Sequence, residues 1–117
     1  MRRCIAILLI LMASSSCTSR PRPVIPLIRA YAHNDYNHKR PLADALDCGF
    51  CSVEADIFLV DGKLLVAHKQ EEVRPERTLE ALYLAPLRRR VRANGGRVYR
   101  GGPTVTLMID FKFNRIC

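Results

Sequence analysis

The sequence lacks a hydrophobic run long enough to cross a bilayer as a helix. Its longest apolar run, Cys4 to Ala13, has ten residues, whereas a spanning helix needs about 20. Two arginines precede this run, and three serines and Cys17 follow it. This order of a charged, an apolar and a small-residue segment predicts a secretory signal peptide over residues 1–17 rather than a transmembrane anchor.

The residues before Cys17 resemble a bacterial lipoprotein cleavage site, although Ser14 stands where an aliphatic residue is usual. Three interpretations stay open: lipid attachment at Cys17, cleavage near the serines without a lipid, or an uncleaved anchor. The predicted signal indicates export to the periplasm, the cell surface or the medium, and lipid attachment or an uncleaved anchor predicts membrane attachment through the N-terminus. Residues 18–28, which include "TSRPRPVIP", are typical of an extended proline-rich linker.

Two further absences argue against other functions. Cys48 and Cys51 form a C-x-x-C pair, but no second pair completes a zinc site, so we predict two small buried thiols. No aromatic residues interleave with the arginines at 88, 89, 90 and 92, which argues against a nucleic-acid partner. We interpret this arginine run, which is part of a net charge of +8, as the solvated face of a helix.

The chain also lacks internal repeats, and strand-like and helix-like patterns alternate after the linker. This alternation favours an α/β fold with a parallel sheet, either a barrel or an open doubly wound sheet. The predicted elements are a strand at 27–32, a helix from Pro41 to Gly49, a hairpin of "SVEADIFLV" and "KLLVAH" around Asp61-Gly62, a helix from about Thr78 to Asn94, and a buried strand in "TVTLMIDFK".

Glu54 and Asp56 lie two residues apart on the first strand of the hairpin, so their side chains project to one face. Adjacent carboxylates repel each other and resist burial unless a positive group lies between them. A hard divalent cation with oxygen ligands meets this need. The alternative is a surface strand whose acidic residues face water.

The hairpin brings a histidine to these carboxylates. With Asp61-Gly62 as a two-residue turn, the pairing places Asp56 opposite Ala67 and returns His68 to the neighbourhood of the acidic pair. A histidine delivered to an acidic pair is a candidate catalytic residue.

Polar residues also lie at the same end of the other two strands. Asp110 and Lys112 share a face near the end of the last strand, and His33 and Asp35 come just after the first strand. Ligands bind at the C-terminal ends of the strands in parallel α/β folds. We therefore expect one site that combines histidines, carboxylates and a lysine.

Four motifs in this order carry a family resemblance: "AHNDY", "GFCSVEAD", "VDGKLLVAH" and "LMIDFK". Together they resemble the glycerophosphodiester phosphodiesterase-like proteins of the PLC-like superfamily. The opening "HNDY…RPL…AL" is similar to the altered-inheritance-of-mitochondria branch. The resemblance runs from about Arg29 to Lys112, and it implies a (β/α)₈ barrel with a divalent metal and two catalytic histidines.

The resemblance assigns roles to seven residues, and two positions depart from the family pattern. Asn34-Asp35 replaces the usual Arg-Gly, which removes a phosphate-binding arginine, so Asn34 would bind metal or a phosphate oxygen instead. An aspartate at 110 replaces the more common glutamate. The implied roles are catalytic for His33 and His68, metal-ligating for Glu54, Asp56 and Asp110, and phosphate-binding for Asn34 and Lys112.

The function implied by the resemblance is that of a metal-dependent phosphoric diester hydrolase acting on glycerophosphodiester-like or phospholipid-derived substrates. Mg²⁺ or Ca²⁺ would neutralise the phosphodiester, one histidine would accept a proton, and the other would protonate the leaving alkoxide. Two alternatives stay open. One is a non-catalytic exported lipoprotein or binding fragment that retains the fold, and the other is a basic fragment that binds membranes or nucleic acid through the arginine run.

The length of the chain leads to a further expectation. A (β/α)₈ barrel takes about 250 residues, whereas residues 29–117 suffice for about the first three βα units. We therefore expect these residues to be the N-terminal part of a truncated barrel, inactive or unstable alone.

Overall fold

A computed structural model describes residues 23–113 of the chain. The predicted signal peptide, Cys17 and residues 18–22 of the predicted linker lie outside this range. Within the range, no helix is both long and apolar enough to span a bilayer.

Four strands and two α-helices make up most of the regular structure in the described range. The 3₁₀ turns cover Asp35–Asn37 and Gln70–Glu72, and a π-helical turn, Glu80–Leu84, leads directly into the second α-helix. In chain order the main elements are β1 (Leu27–Ala32), α1 (Ala43–Asp47), β2 (Phe50–Val60), β3 (Lys63–Val66), α2 (Ala85–Ala93) and β4 (Thr106–Phe111).

The strand β2 is the centre of the sheet. Strands β1 and β4 pair with it in parallel, and β3 pairs with it antiparallel. The registers place Ala32 opposite Val53 and Asp56 opposite Asp110. The described residues therefore form an α/β structure around a mixed parallel and antiparallel sheet. The partial (β/α)₈ barrel stays a prediction.

The hairpin of β2 and β3 has the predicted register. Val60 pairs with Lys63, and the N–H of Ala67 donates to the backbone oxygen of Asp56 at 3.2 Å. Both residues of the Asp61-Gly62 turn have positive φ, 47° and 74°, as a two-residue turn that matches the strand twist requires. The turn chemistry thus fixes where β3 returns along β2.

Gly49 allows the first two strands to begin side by side. Its φ of 93° lies in the left-handed region, as predicted, and a Cβ at this position would collide with the carbonyl oxygen of Ile25. The carbonyl of Gly49 accepts a hydrogen bond of 2.7 Å from the N–H of Leu27. The absence of a side chain at Gly49 is therefore a requirement of β1–β2 packing.

The core forms on one face of β2. Val53, Ala55 and Ile57 are buried there and alternate along the strand, as the sequence pattern predicts. The other buried apolar residues of this cluster lie outside α2 and β4: Ala32, Tyr36, Leu42, Ala45, Leu46, Cys51, Val66, Leu79, Tyr83, Val98 and Tyr99.

The exposure of β4 corrects the prediction of a buried last strand. Met108, Ile109 and Phe111 are 49%, 45% and 40% exposed. Among the described strands β4 pairs only with β2, so its other edge and much of its apolar surface face solvent. An apolar run indicates that a strand can be buried, but not whether neighbours cover it.

Two local predictions are also wrong. The first helix begins at Ala43 rather than at Pro41, because Leu42 has a φ of 64°, outside the right-handed helical region. Cys48, which follows the last residue of α1, is exposed, whereas Cys51 on β2 is buried as predicted.

Three of the four arginines of α2 face solvent as interpreted, whereas Arg90 is half-buried. Arg88, Arg89 and Arg92 are exposed, and Arg88 pairs with Glu80 at 3.1 Å.

Asp35 ties the loop after β1 to the helical segment that precedes α2. Its side chain is fully buried, and its Oδ2 accepts hydrogen bonds from the N–H of Leu42 at 2.5 Å and from the Tyr83 hydroxyl at 2.9 Å. Burial, with the charge of Asp35, raises the pKa of Tyr83 far above its usual value. The hydroxyl therefore remains a hydrogen-bond donor across the physiological pH range.

We predict that Tyr83→Phe lowers the free energy of unfolding by about 1–3 kcal/mol, because it leaves a buried carboxylate with one donor fewer. Tyr31→Phe is the matched control. The side chain of Tyr31 is 41% exposed, and we expect a change within about 0.5 kcal/mol. Urea unfolding of the 117-residue chain and of both variants measures the difference. Equal effects of the two substitutions would contradict this role of Asp35.

Candidate metal and histidine site

Three carboxylates converge where β2 meets β4. Ligand oxygens of Glu54, Asp56 and Asp110 lie within 4.8 Å of one another, because β2 and β4 place Asp56 directly opposite Asp110. Glu54 is only 8% exposed and Asp56 only 1%. The alternative of a strand whose acidic residues face water is therefore wrong. We call these three residues the acidic cluster.

The two oxygens of Asp56 have different surroundings. Three donors surround Oδ2: the Tyr36 hydroxyl at 2.7 Å, His68 Nδ1 at 3.0 Å and Lys112 Nζ at 3.3 Å. The buried Oδ1 has no hydrogen-bond partner among the described residues. A buried carboxylate oxygen without a partner is costly. A cation bound in the cluster would satisfy this oxygen, so the donor set fits a divalent metal with oxygen ligands.

The charge balance of the cluster also favours a divalent cation. Within residues 23–113 its one close lysine or arginine is Lys112, whose Nζ lies 2.5 Å from Asp110 Oδ2 and 3.3 Å from Asp56 Oδ2. The hydrogen bond to Asp110 raises the pKa of Lys112, so the ammonium keeps its charge. One positive group beside three carboxylates, of which Glu54 and Asp56 are buried and Asp110 is 46% exposed, leaves two negative charges, and a divalent ion balances them.

His68 is oriented by Asp56. Because a carboxylate only accepts hydrogen bonds, the 3.0 Å contact places a proton on Nδ1 of His68. In the neutral ring, Nε2 then has a free lone pair. The side chain is 46% exposed, so this nitrogen is accessible to a substrate or to water.

His33 and Asn34 approach the cluster through Glu54. His33 Nε2 lies 3.4 Å from Glu54 Oε2, and the backbone N–H of Asn34 donates to the same oxygen at 3.1 Å. Asn34 has a left-handed φ of 53°, which asparagine tolerates better than most residues. This turn directs the chain from β1 over the acidic cluster. All seven predicted site residues therefore lie together, while their roles stay predictions.

Tyr36 is the site residue that the sequence reasoning missed. Its hydroxyl lies 2.7 Å from Asp56 Oδ2 and from Asn34 Oδ1, and 3.0 Å from His68 Nδ1. Burial and the hydrogen bond to Asp56 raise its pKa far above the usual value, so the hydroxyl keeps its proton. The sequence signal that could have identified Tyr36 is its position in the motif "AHNDY", which also contains His33 and Asn34.

Asp35 and His38 lie outside the acidic cluster. The Asp35 side chain is buried and bonds to Leu42 and Tyr83. Its Oδ1 lacks a hydrogen-bond partner in the described part and lies 3.9 Å from His38 Nδ1. His38 belongs to the exposed loop before α1 and is 53% exposed. Position after β1 therefore does not by itself make a residue part of the site.

Comparison with known proteins identifies similar sequences. Residues 18–100 match the family described as AIM6-like phosphodiesterase domain. The matched range contains both site histidines, Glu54 and Asp56, and it ends before β4, which carries Asp110.

Three curated relatives share part of this sequence. Altered inheritance of mitochondria protein 6 homolog of Arthroderma benhamiae is 38% identical over 76 residues, which are 60% of this chain and 24% of that protein. Altered inheritance of mitochondria protein 6 of Eremothecium gossypii is 39% identical over 77 residues (64% and 20%). The protein of that name from Lachancea thermotolerans is 39% identical over 103 residues (76% and 24%).

The chain thus spans about a quarter or less of the length of these relatives. No solved structure matches it significantly.

We predict that the chain binds Ca²⁺ or Mg²⁺ and that Asp56→Asn weakens this binding by roughly tenfold or more, because a charged oxygen ligand is lost. Asp61→Asn is the matched control, since it removes the same charge from the exposed hairpin turn and suits the positive φ there. Calorimetric titration with each metal measures the affinities. The metal-site interpretation is wrong if the two variants bind equally well.

Proposed function

The chain belongs to the family of AIM6-like phosphodiesterase domains, and from this premise we propose that it carries the metal-and-histidine part of a metal-dependent phosphoric diester hydrolase. The substrates in this proposal are glycerophosphodiester-like or phospholipid-derived. The observation that carries the proposal is the arrangement around Asp56, which combines one unpartnered buried oxygen with a histidine held on the other oxygen.

The acidic cluster would hold Mg²⁺ or Ca²⁺ through Glu54, Asp56 and Asp110. The bound cation supplies charge neutralisation for the phosphodiester anion and for the charge that builds in the transition state. The residues of the chain do the rest of the chemistry in this proposal: they bind the substrate, orient it and move protons.

The two histidines suit different roles in proton transfer. Asp56 holds the Nδ1 proton of His68, so Nε2 is the nitrogen that accepts a proton from the nucleophile. The more exposed His33, beside Glu54, then protonates the leaving alkoxide, which leaves poorly as an anion. Positioned acid–base catalysis of this kind contributes about 10² to 10⁴-fold.

Phosphate binding falls to Lys112 and Asn34 in this proposal. The Lys112 ammonium lies at the rim of the acidic cluster, where it can complement phosphate oxygens. The Asn34 Oδ1 lies 2.7 Å from the Tyr36 hydroxyl, and the Asn34 turn places this residue beside Glu54.

The proposed architecture is the N-terminal part of a (β/α)₈ barrel of the PLC-like superfamily. The parallel pairing of β1, β2 and β4, with helical segments between them, supports it. The exported location and lipid attachment at Cys17 remain part of the proposal through the N-terminal sequence pattern. The relatives are about four times longer than the matched part, so we propose that turnover needs the additional chain.

The activity test uses a chimera in which residues 29–112 replace the matching segment of the Lachancea thermotolerans relative. We expect the chimera to hydrolyse glycerophosphodiesters in the presence of Mg²⁺ or Ca²⁺. His33→Ala and His68→Ala should each lower the turnover number by roughly 10² to 10⁴-fold, since each removes one proton-transfer group. Product release is measured by ³¹P NMR spectroscopy.

Lys63→Ala is the control for this assay, because Lys63 is exposed at the turn of the hairpin that carries His68, and it should leave turnover unchanged. Hydrolysis that persists in both histidine variants would contradict the proposed roles. A folded, metal-binding chimera without any hydrolysis would favour the non-catalytic binding fragment.

A further inference from the structure

A cavity adjoins the acidic cluster. It has a volume of about 270 Å³ and is lined mainly by polar and charged side chains. The lining groups that carry chemistry are Tyr36, His38, His68, Glu72 and Arg77. The roles proposed above use none of this space, although two of these residues also contact the acidic cluster. We call it the Arg77 cavity.

Arg77 differs from the other arginines in the described range. It is half-buried, and no carboxylate lies within 4 Å of its guanidinium among the described residues. The other half-buried arginine, Arg90, pairs with Asp47 at 3.4 Å. A half-buried cation is unfavourable unless an anion is nearby. The missing partner of Arg77 is therefore an indication of an anionic ligand.

The position of Arg77 is fixed by the fold. Its Nη2 donates to the backbone oxygen of Tyr36 at 2.7 Å, and its own carbonyl accepts from the N–H of Val66 at 2.7 Å. One edge of the guanidinium is thus occupied, and its other N–H groups donate to no acceptor in the described part of the chain. A guanidinium held in this way is prepared to bind a phosphate or carboxylate with little loss of entropy.

The cavity and the acidic cluster share a wall. The Tyr36 hydroxyl contacts Asp56, while its carbonyl contacts Arg77. His68 lines the cavity and touches Asp56 with its Nδ1. A molecule whose phosphodiester lies over the acidic cluster would therefore extend past His68 into the Arg77 cavity.

The charge of Arg77 on the cavity wall favours an anion, while Asp56 and Asp35 lie behind the wall formed by Tyr36, His38 and His68. Among the described residues, Glu72 is the acidic residue that lines the cavity, and the Glu72 carboxylate accepts from the N–H of Lys69 at 3.3 Å at the exposed rim. Arg77 carries a permanent charge, and a ring N–H of His38 is an additional donor. A trimethylammonium or ammonium head group would meet the guanidinium directly and be repelled.

We propose that the Arg77 cavity binds an anionic group, a phosphate or a carboxylate, that the substrate carries next to its scissile phosphodiester. The inference rests on the proposed function for its place in catalysis, but anion binding by Arg77 is a separate property of the chain. It narrows the substrate class to phosphodiesters with an acidic head group.

The binding test uses the 117-residue chain after treatment with EDTA and removal of the EDTA by dialysis, so that neither a metal nor the chelator competes for the probe. Inorganic phosphate and acetate are titrated separately by calorimetry. We expect at least one of them to bind, and Arg77→Gln to weaken that binding by roughly tenfold or more, because a charge-assisted hydrogen bond is lost. Binding of phosphate alone assigns the phosphate class, and binding of acetate alone assigns the carboxylate class.

Arg74→Gln is the matched control. Arg74 lies three residues earlier, is exposed, and donates only to the backbone oxygens of Glu71 and Val73 among the described residues. Its substitution removes the same charge and should leave anion affinity unchanged. Equal weakening in both variants, or no binding of either anion by the unmodified chain, would overturn the proposal.

A second measurement avoids variants that fail to fold. In ¹H–¹⁵N NMR spectra of the unmodified chain, the Arg77 Nε–H signal should shift with added phosphate or acetate, while the Arg74 signal should not. Shifts at Arg74 alone, or at neither residue, would contradict the inference.

The two proposals fail separately. Anion binding that depends on Arg77, together with a chimera that hydrolyses nothing, would retain this cavity and remove the phosphodiesterase. In the opposite case the chimera would hydrolyse glycerophosphoserine and glycerophosphocholine at equal rates, and Arg77→Gln would change neither rate. That result would support the phosphodiesterase activity and contradict anion binding in the Arg77 cavity.

Discussion

The carboxylate of Asp56 is the group on which the rest of the site depends. It is almost fully buried at the middle of the central strand, and its two oxygens serve different partners. One oxygen receives Tyr36, His68 and Lys112, and these contacts orient the histidine. The other oxygen is buried and lacks a hydrogen-bond partner in the described part, and two further acids, Glu54 and Asp110, lie beside this carboxylate. Burying such a group without a cation is unfavourable, which connects the packing of β2 to the chemistry of a metal site.

The rest of the fold holds Asp56 in this position. The parallel register of β2 and β4 places Asp110 opposite it, and the two-residue turn returns His68 along β3. Asp35, pinned by Leu42 and Tyr83, fixes the short 3₁₀ turn that points the Tyr36 hydroxyl inward. Tyr36 then connects the acidic cluster to the Arg77 cavity, because its side chain contacts Asp56 and its carbonyl accepts a hydrogen bond from Arg77.

Much of this arrangement follows from local rules that can be applied to the sequence. Strand periodicity puts Glu54 and Asp56 on one face, and the Asp61-Gly62 turn fixes the hairpin register, so the approach of His68 was predictable. Contacts between distant elements were not predictable in the same way. Tyr36 and Arg77 lie in irregular segments, where side-chain direction is set by tertiary packing. The exposure of β4 depends on which neighbours cover it, and an apolar pattern does not record that.

The most direct test of the account is the location of a bound metal ion. Crystals of the chain soaked in MnCl₂ should give one anomalous difference peak within about 2–2.6 Å of carboxylate oxygens from Glu54, Asp56 and Asp110. Asp56 should contribute Oδ1, while Oδ2 keeps its contacts with Tyr36 and His68. A map with no peak at this cluster, with the Lys112 ammonium filling the space between the acids instead, would contradict the metal site and the mechanism built on it.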